Sequence, residues 1–281
     1  MLAERLPGLL PRLDEQTALE VTAIHSVAGT LPPGAPLLTR PTFEAPHHSA
    51  SRTALVGGGS GVIRPGALSR AHRGVLFLDE APEFPRAVLE TLRQPLEKGS
   101  VTIHRAAGSA TYPCRAQLVL AANPCPCAGA GGNATCTCSP IERRRYQARL
   151  SGPLLDRIDL RVELPPVTRA AWLDPATPPE SSSVVAGRVA SARAAAADRL
   201  RGTGLTTNAE VPGRLLRERW RVPRSALGLA ERALERGVLS VRGFDRVVRV
   251  AWTLADLAGR TSPGSDEVAE ALGMRLQRAA A

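Results

Sequence analysis

The run GVLFLDE, residues 74–80, constrains the fold of this chain more than any other stretch. Four consecutive apolar residues, Val75–Leu78, are followed at once by two carboxylates, Asp79 and Glu80. A strand that is apolar at every position is typical of a parallel sheet that is covered on both faces. Ligands of such sheets bind beyond the carboxyl ends of the strands. We therefore expect the two carboxylates to lie at a ligand-binding edge.

Strand and helix patterns alternate in this part of the chain. The helical patterns are Asp14–Ala28 and Glu83–Lys98, each with apolar residues at helical spacing. Four short apolar segments bounded by turn or charge signals predict strands: Thr42–Ala45, Val75–Leu78, Gln117–Ala121 and Leu160–Leu164. We predict an α/β fold with a mainly parallel sheet.

The composition changes after Leu164. Five prolines and three serines fall within residues 165–183, which is too rich in breakers for a helix or strand. Five helical patterns follow, at residues 184–200, 211–220, 224–236, 243–258 and 266–278. The predicted organisation is an α/β domain over residues 1–166, a linker over 167–183 and an all-α domain over 184–281.

The chain carries a formal net charge of +10, and nearly all of its cations are arginines, since Lys98 is its one lysine. This excess favours a polyanionic partner only weakly, because the basic residues are spread along the chain. No run of about 18 apolar residues occurs, and the start lacks a leader pattern. We expect a cytoplasmic protein without a membrane segment.

The adjacent carboxylates suit phosphate hydrolysis. One of them would hold Mg²⁺, directly or through water, while the other orients or deprotonates the attacking water. The alternative is a strand that ends in two solvated acids. Asn123, after the predicted strand Gln117–Ala121, is a candidate hydrogen-bond partner for a phosphate or that water; alternatively it is a turn residue before Pro124.

Two arginines are candidate catalytic residues. Arg157 lies between Asp156 and Asp159 and would complete a neighbouring subunit's site by stabilising the charge on a transferred phosphate. A surface ion pair is the alternative. Arg242 lies near the start of a predicted helix in the second domain, where helix-surface charge is the default interpretation.

Four cysteines form two C-x-C pairs separated by eight residues: Cys125, Cys127, Cys136 and Cys138. Four thiolates can surround Zn²⁺ tetrahedrally. A C-x-C pair in a straight strand holds its sulfurs apart, so a zinc site needs the bend that Pro126 and the intervening glycines favour. Free thiols and a redox pair are the alternatives.

Long segments of the chain resemble the magnesium-chelatase-like AAA+ ATPases of the ComM/YifB type, in the order and spacing of that family. The resemblance runs from residue 1 to about residue 259. It implies an AAA+ core with a helical lid, assembled as a homo-oligomeric ring, commonly a hexamer, with ATP between subunits. The matching segments are RPTFEAPHHSAS, residues 54–113, LVLAANPCPC, RLSGPLLDRIDLRVELP and LSVRGFDRVVRVAWTLADLAG.

The resemblance also implies residue roles. Asp79 and Glu80 correspond to the Walker B pair that serves Mg²⁺ and ATP, and Asn123 corresponds to sensor 1. Arg157 corresponds to an arginine finger that acts in trans, and Arg242 corresponds to sensor 2.

Residues 100–112 alternate as a β-hairpin pattern. In similar motors such a hairpin projects into the pore of the ring, so His104 and Arg105 are candidate contacts with DNA phosphates; an ordinary surface hairpin is the alternative. For His47 and His48 we expect a structural or interface role rather than metal binding.

Two functions and one inactive state follow from the resemblance. ComM members are associated with branch migration of DNA during natural transformation, whereas chelatase relatives use a similar motor on a protein partner. The sequence departs from the family because it contains no G-x-x-x-x-G-K-[ST] phosphate-binding loop. We expect a misassigned start or a truncated or split gene, with weak or absent ATP binding and poor stability alone. An inactive remnant is the third possibility.

Overall fold

The structure is a computed structural model that describes residues 2–59, 62–105, 108–127, 136–165 and 180–276. It divides into two compact units, unit 1 up to Arg157 and unit 2 from Ile158 to Ala279. Unit 1 combines helices with a parallel sheet, and unit 2 is helical. The predicted α/β class with a helical C-terminal part is confirmed, as in an AAA+ core with a helical lid.

Unit 1 contains short helices and strands. Its helices are α1 Leu2–Leu9, α2 Glu15–Ala28, α3 Arg52–Val56, α4 Ala67–Arg70, α5 Arg86–Glu90, α6 Arg93–Lys98, α7 Pro140–Gln147 and α8 Gly152–Leu155, with a 3₁₀ turn at Ala81–Glu83. Its strands are β1 Phe43–Glu44, β2 Gly57–Gly58, β3 Arg64–Pro65, β4 Val75–Leu78, β5 Ser100–Arg105, β6 Gly108–Pro113 and β7 Gln117–Leu120.

The parallel sheet has the order β1-β4-β7 within the described residues. Val75 pairs with Phe43 on one side and with Gln117 on the other. Side chains of β4 at Val75, Leu76 and Leu78 are fully buried, which explains why this strand is apolar at every position. Three of the four predicted strands are therefore confirmed.

The predicted strand at Leu160–Leu164 is wrong. Within the described residues, this segment pairs with no strand. Instead, the Arg161 amide donates to the Met274 carbonyl, 2.8 Å away. Its apolar side chains at Leu160, Val162 and Leu164 are exposed. No neighbouring strand buries these apolar side chains, because the backbone of the segment is hydrogen-bonded to the last turn of α13.

The single helix predicted over Glu83–Lys98 is also wrong, since two short helices, α5 and α6, occupy this segment. Pro95 lies inside α6, and its ring would clash with the Thr91 carbonyl in a continuous helix. The break therefore falls just before α6, while the predicted apolar residues Leu89 and Leu92 are still buried.

Unit 2 consists of helices around one core. They are α9 Ser182–Leu200, α10 Gly213–Glu218, α11 Arg224–Glu235, α12 Val241–Leu257 and α13 Ser265–Leu276, with a 3₁₀ turn at Asn208–Glu210. The central apolar cluster includes Trp220, Val247, Ala251, Trp252 and Val268. Residues 167–179 of the predicted linker and Arg278 of the last predicted helix lie outside the described residues.

The described helices were also compared with the length and apolarity that a bilayer demands. None of them is both long and apolar enough to cross a membrane.

Candidate functional site

The carboxyl ends of β4 and β7 form one edge of the sheet. The Ala121 amide donates to Leu78 O at 3.0 Å and the Ala81 amide to Ala121 O at 2.8 Å, so the ladder continues just past both strands. Asp79 and Glu80 leave β4 at this edge, and both are exposed. The predicted juxtaposition of the carboxylates with the end of the neighbouring strand is present.

Glu80 turns the chain out of the sheet. Its φ of 49° is left-handed, which is costly for a residue with a side chain, and its amide donates to Asp79 Oδ1 at 3.0 Å. The 3₁₀ turn Ala81–Glu83 begins directly afterwards. Strain of this kind concentrates at functional sites.

The two carboxylates line a cleft of about 320 Å³ on the β1 side of β4. Other walls come from α1, from the two phenylalanines of the strands and from the loop after β1: Glu4, Phe43, Ala45, Pro46, His47, His48 and Phe77. His48 Nδ1 lies 3.1 Å from Glu80 Oε2. The imidazole of His48 therefore lies within ion-pair distance of the Glu80 carboxylate.

Asn123 follows β7, on the other side of β4, and is not among the residues that line this cleft. It adjoins α7, because the phenol of Tyr146 receives a hydrogen bond from the Asn123 backbone. Burial raises the pKa of Tyr146, and the carboxylates of Glu83 and Glu80 raise it further. Tyr146 therefore stays a neutral phenol next to the acidic edge.

Arg149, just after α7, is a further residue at this edge. Its Nη1 lies 2.7 Å from Glu83 Oε2 and 3.3 Å from the Pro82 carbonyl. This cation ties α7 to the turn that follows the two carboxylates.

The two candidate arginines lie in different units. Arg157 lies in unit 1, where its Nε donates to Arg93 O at 3.0 Å and its Nη2 lies 2.5 Å from Glu97 Oε1. Arg242 lies in unit 2, in the first turn of α12, and is exposed. Their roles as finger and sensor stay predictions.

The four candidate metal ligands do converge. The Sγ atoms of Cys125, Cys127, Cys136 and Cys138 all lie within 4.8 Å of one another. Cys114 is separate from them and buried, and burial raises the pKa of its thiol to about 12.

The predicted hairpin is present as β5 and β6. Val101 and Ile103 face the core, whereas His104 and Arg105 are exposed at the end of β5, next to the turn. Residues 106–107 of that turn lie outside the described residues. Contact of this tip with DNA stays a prediction.

Sequence reasoning missed Tyr146 and Arg149 at the acidic edge, and it gave His48 a structural or interface role without placing it next to Glu80. Their contacts join segments that are far apart in the chain, and nothing in the local pattern marks them. The loop PHHSA did attract notice as a histidine pair. Its proximity to Glu80 required the parallel pairing of β1 with β4.

Two family models match this chain. "Magnesium chelatase, subunit ChlI" matches residues 1–172, and "Magnesium chelatase, subunit ChlI C-terminal" matches residues 179–275. The chain therefore belongs to the magnesium chelatase family, as a member of the ComM/YifB type.

Named relatives agree with this assignment. The chain is 60% identical over 275 residues to the uncharacterized protein Rv2897c of Mycobacterium tuberculosis, covering 98% of this chain and 54% of the relative. It is 40% identical to the competence protein ComM of Haemophilus influenzae, covering 98% and 53%. It is 41% identical to the uncharacterized protein YifB of Escherichia coli, covering 92% and 49%. The chain thus spans about half the length of these curated relatives.

Proposed function

We propose that this chain is part of a ring-forming, cytoplasmic AAA+ ATPase that couples ATP hydrolysis to movement along DNA, including branch migration. The observation that carries this proposal is the sheet edge where Asp79 and Glu80 leave β4 next to the end of β7 and line a cleft on the β1 side. The 40% identity to a competence protein supports DNA as the partner.

The carboxylates suit Mg²⁺, which prefers oxygen ligands. Asp79 would hold the ion that accompanies the ATP phosphates. Glu80, oriented by His48, would accept a hydrogen bond from the attacking water and draw off its proton. Asn123, which follows the neighbouring strand β7, would position the same water or a phosphate group of ATP.

Phosphate affinity is a separate requirement. The 281 residues contain no G-x-x-x-x-G-K-[ST], the loop whose amides and lysine hold the phosphates. We therefore expect weak or absent Mg·ATP binding by these residues alone; micromolar binding in a calorimetric titration would contradict this.

In a homo-oligomeric ring, proposed to be a hexamer, Arg157 would act on a neighbour's nucleotide and Arg242 on the nucleotide under its own lid. Arg157 is engaged with Glu97 and Arg93. Its role as a finger requires the guanidinium to exchange these partners when a subunit docks. Within the same family, the match to a chelatase subunit favours an alternative, a motor that remodels a protein partner.

Glu80→Gln tests the proposed chemistry in a fusion that places a P-loop-bearing segment before Met1. We expect unchanged nucleotide binding and a kcat lowered by about 100-fold or more, because the amide is no base. Glu235→Gln, the same change at an exposed residue of α11, is the matched control. Turnover retained in the Glu80 variant would remove this residue from the mechanism.

The partner is tested with the same fusion. Stimulation of ATP turnover by forked DNA supports the DNA motor, whereas stimulation only by a protein partner supports the chelatase-type alternative. Near the acidic edge, Zn²⁺ is the cofactor that we propose for the four-cysteine cluster.

A further inference from the structure

The four-cysteine cluster, formed by Cys125, Cys127, Cys136 and Cys138, brings two sequence segments together. Cys125 Sγ lies 3.1 Å from Cys127 Sγ and 3.3 Å from Cys136 Sγ, and Cys127 Sγ lies 3.6 Å from Cys136 Sγ. Cys125 is buried, and Cys136 and Cys138 are half-buried. Each pair thus contributes sulfurs to one shared centre.

The local backbone explains the convergence. In an extended strand, residues two apart lie on the same face but are separated by about 6.6 Å along the chain, so their sulfurs meet only where the backbone bends. Here a turn at Pro126 and Cys127 follows Pro124, which fixes the preceding residue's backbone. The turn brings the first pair of sulfurs into contact with each other and with Cys136.

The spacing fits a tetrahedral cation. Zinc–sulfur bonds of about 2.3 Å place the sulfurs of a four-thiolate site about 3.8 Å apart. The three separations above, 3.1, 3.3 and 3.6 Å, are shorter than this edge length, and all four sulfurs lie within 4.8 Å of one another, so a small expansion of the cluster would fit the ion. All three separations are far longer than the roughly 2.05 Å of a disulfide. Thiolates select Zn²⁺ over hard ions such as Mg²⁺, and four protein ligands leave no open position for a substrate.

We propose that the four-cysteine cluster is a closed, structural Zn²⁺ site, a clamp that joins Cys125 and Cys127, which follow β7, to Cys136 and Cys138, which precede α7. Both ends of the clamp have anchors. After Cys138, Ser139 caps α7 in a capping box with Glu142, and before Cys125, the Pro124 carbonyl accepts a hydrogen bond from Gln147 Nε2 at 3.3 Å.

The clamp has a consequence for the acidic edge. The ion would join Cys125 and Cys127, just after Asn123, to Cys136 and Cys138, just before α7, and Tyr146 of α7 accepts a hydrogen bond from the Asn123 backbone. The metal would therefore fix the relative position of Asn123 and α7. This consequence rests on the proposed role of Asn123, whereas the metal site itself does not.

The first experiment measures metal in the purified full chain by mass spectrometry of the elements. We expect about one zinc per chain, since the four ligands make one tetrahedral site. The double variant Cys136→Ser, Cys138→Ser should lose the zinc. Cys114→Ala, which changes the fifth, buried cysteine outside the cluster, should keep it.

The second experiment remains decisive if the double variant does not fold. Wild-type chain loaded with Co²⁺ in place of Zn²⁺ should show sulfur-to-cobalt absorption in the near ultraviolet and the visible bands of a tetrahedral four-thiolate site. Chelation of the zinc from the wild type should then increase proteolysis of the segment before α7, with helix content of unit 2 unchanged.

Four results would overturn the zinc site. Two of them concern zinc itself: absence of stoichiometric zinc even after refolding with Zn²⁺, and equal zinc in the double variant. The other two are a mass lower by two hydrogens per cysteine pair, which indicates disulfides, and iron with sulfide in place of zinc. Zinc binding with unchanged proteolysis would overturn the clamp but not the metal site. None of these results bears on whether Glu80 supports turnover.

Discussion

At the scale of single residues, the geometry around Glu80 is the most informative part of the molecule. Its backbone is left-handed, and its carboxylate lies 3.1 Å from His48 Nδ1. Neither feature is needed for packing, since Glu80 is exposed. Both are consistent with a side chain whose direction matters for chemistry.

Replacement of His48 tests this positioning. In the P-loop fusion, His48→Ala should lower kcat by about 10-fold with little change in KM, because the carboxylate stays but loses its orientation. His48→Asn, whose amide places a donor near the position of Nδ1, should recover part of the rate. Steady-state kinetics would contradict the role if both variants matched the wild type.

His72 makes stability depend on pH. Burial lowers the pKa of His72, and the hydrogen bond to Glu20 opposes this only in part, while Arg73 and Arg115 lower it further. Below the ordinary histidine pKa of about 6.5, the unfolded chain then binds more protons than the folded chain. The stability is fully present above that pH and is lost as the pH falls through the lowered pKa of the folded state.

The variant His72→Asn should flatten this dependence. Its carbonyl oxygen can still accept the Arg115 amide, which now donates to His72 Nδ1 at 3.0 Å. Urea midpoints measured between about pH 7.5 and pH 5.5 should fall for the wild type and change less for the variant. Equal slopes would show that other groups dominate the titration.

At the scale of elements, unit 2 is held by a buried ion pair between α9 and α12. Arg199 Nη2 lies 2.7 Å from Asp256 Oδ2, and the guanidinium also lies 4.3 Å from the Trp252 ring centre. Asn208 Nδ2 donates to the same carboxylate oxygen at 2.8 Å. The Asp256 side chain is only 1% exposed, so water cannot replace these partners.

Asp256→Ala should therefore lower the free energy of unfolding of unit 2 by about 3–5 kcal/mol, because it leaves a largely buried guanidinium without its carboxylate. Asp198→Ala removes an exposed ion pair with Arg201 and should cost less than about 1 kcal/mol. Chemical denaturation followed by circular dichroism compares the two. Similar losses in both variants would contradict the assignment.

The hairpin β5–β6 carries the prediction for DNA. The double variant His104→Ala, Arg105→Ala should weaken binding to single-stranded DNA and reduce the slope of log affinity against log salt by about one for each phosphate that the tip no longer neutralises. Fluorescence anisotropy over a salt series measures both. The control is Arg214→Ala, which removes an exposed arginine paired with Glu218. Equal effects of the two changes would show that only the overall positive charge, and not the hairpin tip, determines DNA binding.

Local patterns predicted these elements unevenly. The helix predicted over Asp14–Ala28 is present as α2, because the Asp14 side-chain cap and the left-handed Gly29 that end it act within a few residues. The strand prediction at Leu160–Leu164 failed because the segment is hydrogen-bonded to a distant helix end. The single-helix prediction over Glu83–Lys98 failed because Pro95 has no backbone N–H to donate within a continuous helix. For the site, the strand ends marked Asp79, Glu80 and Asn123, whereas the partners of Glu80 depended on tertiary pairing.

At the scale of the whole molecule, two units with separate apolar cores make up the described chain. The core of unit 2 draws on all five of the α-helices described in it, including Leu200, Leu216, Ala230, Val247 and Val268. A core of that breadth is expected to support a domain by itself.

A fragment of residues 158–279 should consequently fold alone. We expect helical circular dichroism and one cooperative urea transition, since the buried pair of Arg199 and Asp256 lies wholly within it. Asp256→Ala in the fragment should lower the midpoint as it does in the full chain. A gradual, non-cooperative transition in the wild-type fragment would contradict an independent unit.

The Arg157–Glu97 ion pair has one further consequence, because the residue after Glu97 is Lys98, the single lysine of the chain and an exposed one. An amine-directed fluorophore will therefore label the Lys98 side chain, and the amino-terminal α-amine is the group that competes with it for the reagent. Its emission would then register whether the Arg157 guanidinium stays beside Glu97 or moves away if the proposed ring assembles.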